Sequence, residues 1–326
     1  MLHFILCKNR MKILVTNRGG GHLTYRKMSQ KPVEAFKRMG HDAYSAPVAD
    51  IGQDLTIILG YSTNWDQVKN LPGKKIWWCH GANWSTHSNF KNENKQVWDL
   101  IRNCDAVAYQ SEFAKHMAQK FLEFNREGPI ILNAAKAEFT NHSQRPEPIV
   151  NIATAAVWRD WKRLKDTELI IDKLNEGSEW TKYHLWVYGR DPAEKNYGNP
   201  NFNHYLGLSN DFFKYDDCHF YIQISFNDFS PATVGEAMAK GLPILCGNSG
   251  GSPDIVGDAG IILDIDPYID YSMNCYRDLP KIDYQTVITG ILTMCNSLDG
   301  FRQRVKNRVM SVANSDVSAK QLLDLV

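Results

Sequence analysis

The chain has 326 residues, room for two domains at roughly 150 residues each, and its 37 Lys plus Arg against 36 Asp plus Glu give a formal charge of +1. A balance so near neutral excludes bulk nucleic acid as a partner, and any anion site must be local. Seven cysteines, odd in number and never spaced CxxC, exclude a disulfide framework and a zinc site, so a reducing, cytoplasmic setting is expected.

In chain order, the first apolar run is LHFIL at positions 2–6, followed by Lys8 and Arg10 and shorter than the apolar region of a secretion signal. Nowhere does the sequence approach the roughly 20 apolar residues of a membrane span. The sequons at Asn83 and Asn141 therefore read as chance matches. Met11 opens a strand pattern, so residues 1–10 read as an unstructured extension.

Short apolar runs then alternate with helical patterns, the mark of parallel sheets built from strand-helix-strand units. KILVT (12–16), LTIILGY (55–61), KIWWCHG (75–81), AVAYQS (106–111) and PIILNAA (129–135) read as strands. Helices are expected over 32–39, with Pro32 at the first helical position, and over 112–122. The polar stretch TNHSQRPEP (140–148) reads as a linker. Beyond it, VNIATAAV, YHLWVYGR, FNHYLG, HFYIQIS, LPILCGN and GIILDID read as six more strands, and helices follow from Tyr284. The pattern predicts an α/β protein of two Rossmann-like, doubly wound parallel-sheet domains facing each other across a cleft. The expected boundaries are 1–145 and 146–305, with a final helical segment 306–326 packing back on the first domain. Lys27, Lys31, Lys37 and Arg38 read as a solvated helix face, with peripheral contact to a membrane surface as the alternative.

In open parallel sheets, ligands sit beyond the carboxyl ends of strands, at helix N-termini. After HFYIQIS comes the loop FNDFS, then Ser230 and Pro231, which read as an N-cap and first helical residue. The free amides near Ala232, Thr233 and Val234 would favour a phosphate. Glu236 in the second turn suits a ribose diol, and Asp228 in the loop suits a neighbouring sugar. A lone pair of acids at this spacing is more often solvated surface; the surrounding string changes the odds.

Asp228 to Glu236, EAMAKGLPIL, and Gly250-Gly251 through Asp254-Ile255-Val256 together resemble the retaining glycosyltransferases of the GT-B fold, particularly their large family 4. TAAVWRDWKRLKDTELIIDKL resembles that family's first carboxyl-terminal strand and following segment, which implies a diphosphate grip by Arg159 and Lys162. The likeness covers most of 150–265. In the first half it is looser: WWCHG resembles a strand-end histidine motif, implying His80 near the reacting centre, and NRGGGH places Gly20 in a glycine-rich first loop. Departures are an Asp at position 228 where Glu is usual, a DFSP loop without glycine, and a closer Arg159–Lys162 spacing.

The resemblance implies transfer of a sugar from a UDP- or GDP-sugar donor to a glycan or other hydroxyl acceptor. It also implies retention and no metal or other cofactor, with 1–145 on the acceptor side and 146–305 on the donor side. A catalytically inactive sugar-nucleotide or glycan-binding partner subunit, or a sugar-nucleotide epimerase of the same fold, are the alternatives. A nicotinamide enzyme is disfavoured because Thr24 breaks the G-x-G-x-x-G spacing. The DID at 264–266 reads as an ordinary loop, and of the adjoining Trp77 and Trp78 at least one is expected in the core, while Trp84 suits stacking on an acceptor sugar.

Overall fold

The computed structural model describes residues 10–17, 23–60, 63–81, 90–122, 125–140, 148–190, 197–207, 216–266 and 279–326. The chain divides into two units, Met1–Lys136 with Asn314–Val326, and Ala137–Ala313. The division precedes the polar linker, at 136/137 rather than 145/146, and the final crossing comes at 313/314 rather than 305/306.

Unit 1 carries β1 (Lys12–Thr16), α1 (Leu23–Arg38), β2 (Asp42–Ala46), β3 (Leu55–Leu59), α2 (Trp65–Val68), β4 (Lys74–Cys79), α3 (Phe90–Asn103), β5 (Ala106–Tyr109) and α4 (Glu112–Leu122). Its strands pair in parallel in the order β2-β1-β3-β4-β5. Strands covered on both faces need unbroken apolar runs, and β3, LTIIL, is buried at every position. Both Trp77 and Trp78 are core, their indoles donating to Gly60 O at 2.9 Å and Ile131 O at 2.9 Å. Three expectations need correction. The run 129–135 makes no strand, only an isolated bridge between Tyr109 and Ile130. Residues 42–46 form a strand that was not expected, because DAYSA lacks an apolar run. Pro32 lies inside α1, not at its start.

Unit 2 carries β6 (Ile149–Val157), a 3-10 turn (Asp160–Lys162), α5 (Leu164–Glu176), β7 (Lys182–Arg190), β8 (Asn203–Gly207), β9 (Phe220–Gln223), α6 (Ala232–Ala239), β10 (Ile244–Gly247), α7 (Ser252–Val256), β11 (Gly260–Leu263), α8 (Tyr284–Asn296) and α9 (Leu298–Ser311). The strands pair in parallel in the order β11-β10-β9-β6-β7-β8. From β6 the chain winds outward through β7 to β8, and from β9 through β10 to β11. Winding therefore reverses between β6 and β9, which is where such sheets open a ligand crevice at their carboxyl ends.

The last helix, α10 (Ser315–Leu323), is capped by Asn314, whose side chain accepts from Asp316 N and Val317 N, and it belongs to unit 1. There Arg38 donates to Asp316 Oδ1 and, at 3.1 Å, to Ser315 Oγ, so this basic residue is held by protein. Lys31 is buried, and of the basic side chains described on this face Lys37 and Arg38 are exposed, Arg38 while paired with Asp316. Among the described residues no helix is long and apolar enough to cross a membrane.

Candidate functional site

The loops after β6 and β9 meet at the reversal point of unit 2. After β6 the chain closes a 3-10 turn, with Lys162 N donating to Arg159 O at 2.8 Å and Arg163 N to Asp160 O at 2.9 Å. This turn aims Lys162 across to the β9 loop, where its ammonium forms an ion pair with the Asp228 carboxylate. Both side chains are mostly buried, at 15% and 17% exposure, so the pair is poorly screened by solvent.

The β9 loop is fixed from below. Gly251 N donates to Asp228 O at 2.7 Å, and Phe226 N donates to Trp161 O at 2.7 Å. Gly250 sits at φ 74°, and a Cβ there would lie 2.4 Å from the Asp228 carbonyl oxygen, so no side chain fits. This is the physical reason for the first glycine of the pair that closes the motif.

The helix α6 starts one residue later than the sequence suggested. Pro231 is the cap residue, Ser230 gives no capping bond, and its hydroxyl is buried without a hydrogen-bond partner. Gln223 Nε2 and Ser225 Oγ, a few residues upstream, are likewise buried without partners. The amides of Ala232 and Thr233 open the helix and have no acceptor within it. The Thr233 side chain is not part of a ligand surface: its hydroxyl donates to Ala155 O at 3.1 Å and accepts from Tyr221 Oη at 2.9 Å.

Tyr221 is fully buried in β9. Burial pushes its phenol pKa up, and the charges of Glu236 and Asp228 push it the same way. Arg159 is exposed, and its guanidinium reaches the Trp158 carbonyl at 3.4 Å without pairing with an acid among the described residues.

Two residues that the sequence did not single out complete the site. The Arg163 and Asp266 side chains, each 1% exposed, form an ion pair at 2.7 Å. Asp266 is therefore not an ordinary loop acid. Arg163 (φ 54°) and Asn227 (φ 52°) are the only non-glycine residues with positive φ among those described, and each adjoins one member of the Lys162–Asp228 pair. Strained backbone of this kind gathers at functional sites.

In unit 1, His80 stands just past the carboxyl end of β4 and hydrogen-bonds through Nε2 with the Gln110 amide nitrogen. Burial pushes its pKa down to about 3, so the imidazole is neutral and acts by hydrogen bonding. Gly20 and Trp84 lie outside the described residues. No cluster of three or more His, Cys, Asp or Glu converges as a metal site among the described residues.

No protein-family model and no curated protein sequence matches the chain. Solved structures do. Sucrose-phosphate synthase from Thermosynechococcus elongatus gives a TM-score of 0.69 at 12% identity, covering 97% of this chain and 98% of that one. A glycosyltransferase from Rickettsia africae ESF-5 gives 0.67 at 12% identity, over 97% and 98%. HepE of Anabaena in complex with UDP gives 0.66 at 12% identity, over 96% and 99%. TarM gives 0.61 at 14% identity over 83% of this chain, which spans 54% of TarM's length. At these identities the likeness is one of architecture: two parallel sheets of five and six strands, arranged as the GT-B fold.

Proposed function

We propose that the chain is a glycosyltransferase whose nucleoside diphosphate sugar donor binds at the carboxyl ends of β6 and β9. The observation that carries this reading is the partly buried Lys162–Asp228 pair beside the start of α6, at the reversal point of the unit 2 sheet. HepE of Anabaena has been solved with UDP and with UDP-glucose, which supports UDP as the first donor base to test and GDP as the second.

In this reading the leaving diphosphate gains negative charge as its bond to the sugar breaks. Lys162, the first-turn amides of α6 and, more peripherally, Arg159 stabilise that charge in place of a metal ion. Lys162 exchanges Asp228 for phosphate oxygen, which frees the Asp228 carboxylate to accept from sugar hydroxyls. Glu236 accepts from the ribose diol, neutral His80 hydrogen-bonds the reacting sugar or acceptor, and the acceptor hydroxyl is glycosylated with retention. Water exclusion during transfer protects the donor from hydrolysis.

The test is thermal stability and calorimetric binding of UDP, GDP and their common sugars to the wild type, Lys162→Ala and Glu236→Ala, with and without EDTA. A ligand at 100 times its Kd stabilises by about 2.7 kcal/mol, so binding is visible before the acceptor is known. One nucleotide is expected to stabilise the wild type regardless of EDTA and to lose at least tenfold in affinity in each variant. If no nucleoside diphosphate binds, the reading falls. Binding without transfer to any hydroxyl acceptor points instead to a donor-binding partner subunit, and a sugar altered without an acceptor points to an epimerase.

A further inference from the structure

Lys162 and Arg163 are consecutive, yet their side chains serve opposite ends of the same loop cluster. Lys162 pairs with Asp228 on the open side, while Arg163 is buried and reaches three other segments. Its Nη1 approaches Asp266 Oδ1 at 2.7 Å, off the line a hydrogen bond prefers, and donates to Ile224 O at 3.3 Å. Nη2 donates to Pro280 O at 3.0 Å, and the guanidinium carbon lies 5.3 Å from the Phe226 ring centre. Asp266 in turn accepts from Ser249 Oγ at 2.6 Å, and Ser249 Oγ accepts from Asn227 N at 3.2 Å.

These contacts close a ring. From Lys162 it passes through Arg163, Asp266, Ser249 and Asn227 to Asp228, and returns across the ion pair to Lys162. The loops after β6, β9, β10 and β11 each contribute a member. The two left-handed residues, Arg163 and Asn227, are both in it, and each is bonded in sequence to one end of the pair. Glycine is the residue that suits a left-handed turn. An arginine there tolerates an unfavourable backbone, and its buried guanidinium is what the position gains.

We infer that Arg163, acting with Asp266, is a positioning residue that holds Lys162 and Asp228 in register across the reversal point. The functional side of this inference rests on the donor-site reading above; the geometric side does not. Arg163 touches neither the donor nor the reacting atoms. It fixes where the Lys162 turn and the Asp228 loop stand relative to each other, and a planar fork that donates to two carbonyls and pairs with a carboxylate does this as a lysine cannot.

The test uses the full chain as wild type, Arg163→Lys, and the double variant Arg163→Met with Asp266→Asn. The double variant avoids leaving one buried charge unpaired, which is what makes single removals unfold proteins. The Asp266→Asn change keeps a side-chain oxygen as acceptor for Ser249. Two quantities are read: the rate at which an amine-acylating reagent labels Lys162, mapped by mass spectrometry against Lys240 in the same unit, and UDP affinity by calorimetry. Lys240 is paired with Glu138 at 3.0 Å and caps the carboxyl end of α6, outside the ring, so it reports general loosening.

In the folded double variant, Lys162 labelling is expected to rise at least fivefold relative to Lys240, with UDP affinity at least tenfold weaker. Arg163→Lys is expected to show the same changes in smaller measure. Lys162 labelling unchanged, or raised only in step with Lys240, overturns the inference and leaves Arg163 a stabilising core residue. If the wild type does not bind UDP or GDP, the donor-site reading fails by itself, while the labelling ratio still decides the positioning role. Should the double variant not fold, Arg163→Lys decides on the same ratio.

Discussion

Tyr221 shows how one hydroxyl can extend a sheet. The β6–β9 ladder runs through Ile152–Phe220 and Ala153–Tyr221, and Ala155 lies beyond it. There the Tyr221 hydroxyl takes the partner strand's place, accepting from Ala155 N at 3.0 Å and lying 3.0 Å from Ala155 O. Thr233 joins the same carbonyl from the first turn of α6, so the phenol and the threonine together seat that helix start against the end of β6. Tyr221→Phe leaves the Ala155 amide buried without an acceptor, which costs about 1–3 kcal/mol. Urea unfolding is expected to show that loss with an unchanged m-value, and Thr233→Ser, which keeps the hydroxyl, should stay near the wild type. An equal loss in Thr233→Ser would mean that the threonine methyl, not the hydroxyl network, matters.

Strands and helices set the next scale, and at the outer edge of unit 2 two histidines face each other across β7 and β8. His184 Nδ1 and His204 Nε2 lie 2.7 Å apart with their rings stacked, and Trp186 packs on His204 with ring centres 4.8 Å apart. One nitrogen of that bond must be bare, so full protonation of both rings breaks it. Burial lowers both pKa values from 6.5, and the charge of His204 lowers that of His184 further. With folded values below unfolded ones, the unfolded chain binds more protons on acidification. The pair's stability is therefore complete above about pH 6.5 and declines as pH falls toward the folded values. The wild-type urea midpoint should drop between about pH 7.5 and about pH 5, and His184→Gln with His204→Gln should drop by less. Equal slopes would remove the pair from the acid response, leaving it to His41 and His80, whose pKa values are lowered too. Elements of this kind were unevenly legible in the sequence. β3 and β4 were readable because buried parallel strands need continuous apolar runs, and the Asp228 to Gly251 string was readable because one strand, loop and helix bring it together. β2 was not, since DAYSA is apolar only at intervals. Nor was the Arg163–Asp266 pair, because its members meet only after β6 and β11 have been laid three strands apart in one sheet. Ser230 reads as the cap because a serine before proline looks like a helix start, whereas Pro231 is itself the cap residue and the helix begins at Ala232.

Across the whole molecule, the chain finishes where it began. After α9 completes unit 2, residues 314–326 join unit 1, where Ala319 and Leu322 are fully buried among Val33, Phe36 and Ile131. Polar contacts fix the return at both of its neighbours: Ser318 Oγ donates to Leu132 O at 2.7 Å, Ser315 N donates to Ala135 O at 3.1 Å, and Arg38 pairs with Asp316. Removing residues 314–326 exposes the apolar face of α1 and deletes a buried leucine, for a loss of about 3 kcal/mol from hydrophobic burial and more from the severed hydrogen bonds. The core of unit 2, built from β6, β7, β9 and helices α5 and α8, contains no residue of that segment. Hydrogen exchange on the truncated chain is therefore expected to accelerate in β1 and β3 while β9 and β10 keep their protection. Because Lys162, Asp228 and Glu236, the residues proposed to hold the donor, all lie in unit 2, nucleotide binding is expected to survive the truncation at near wild-type affinity. Exchange that quickens equally in both sheets would show that the terminal helix supports the two units alike, and would place its contribution outside the unit 1 core.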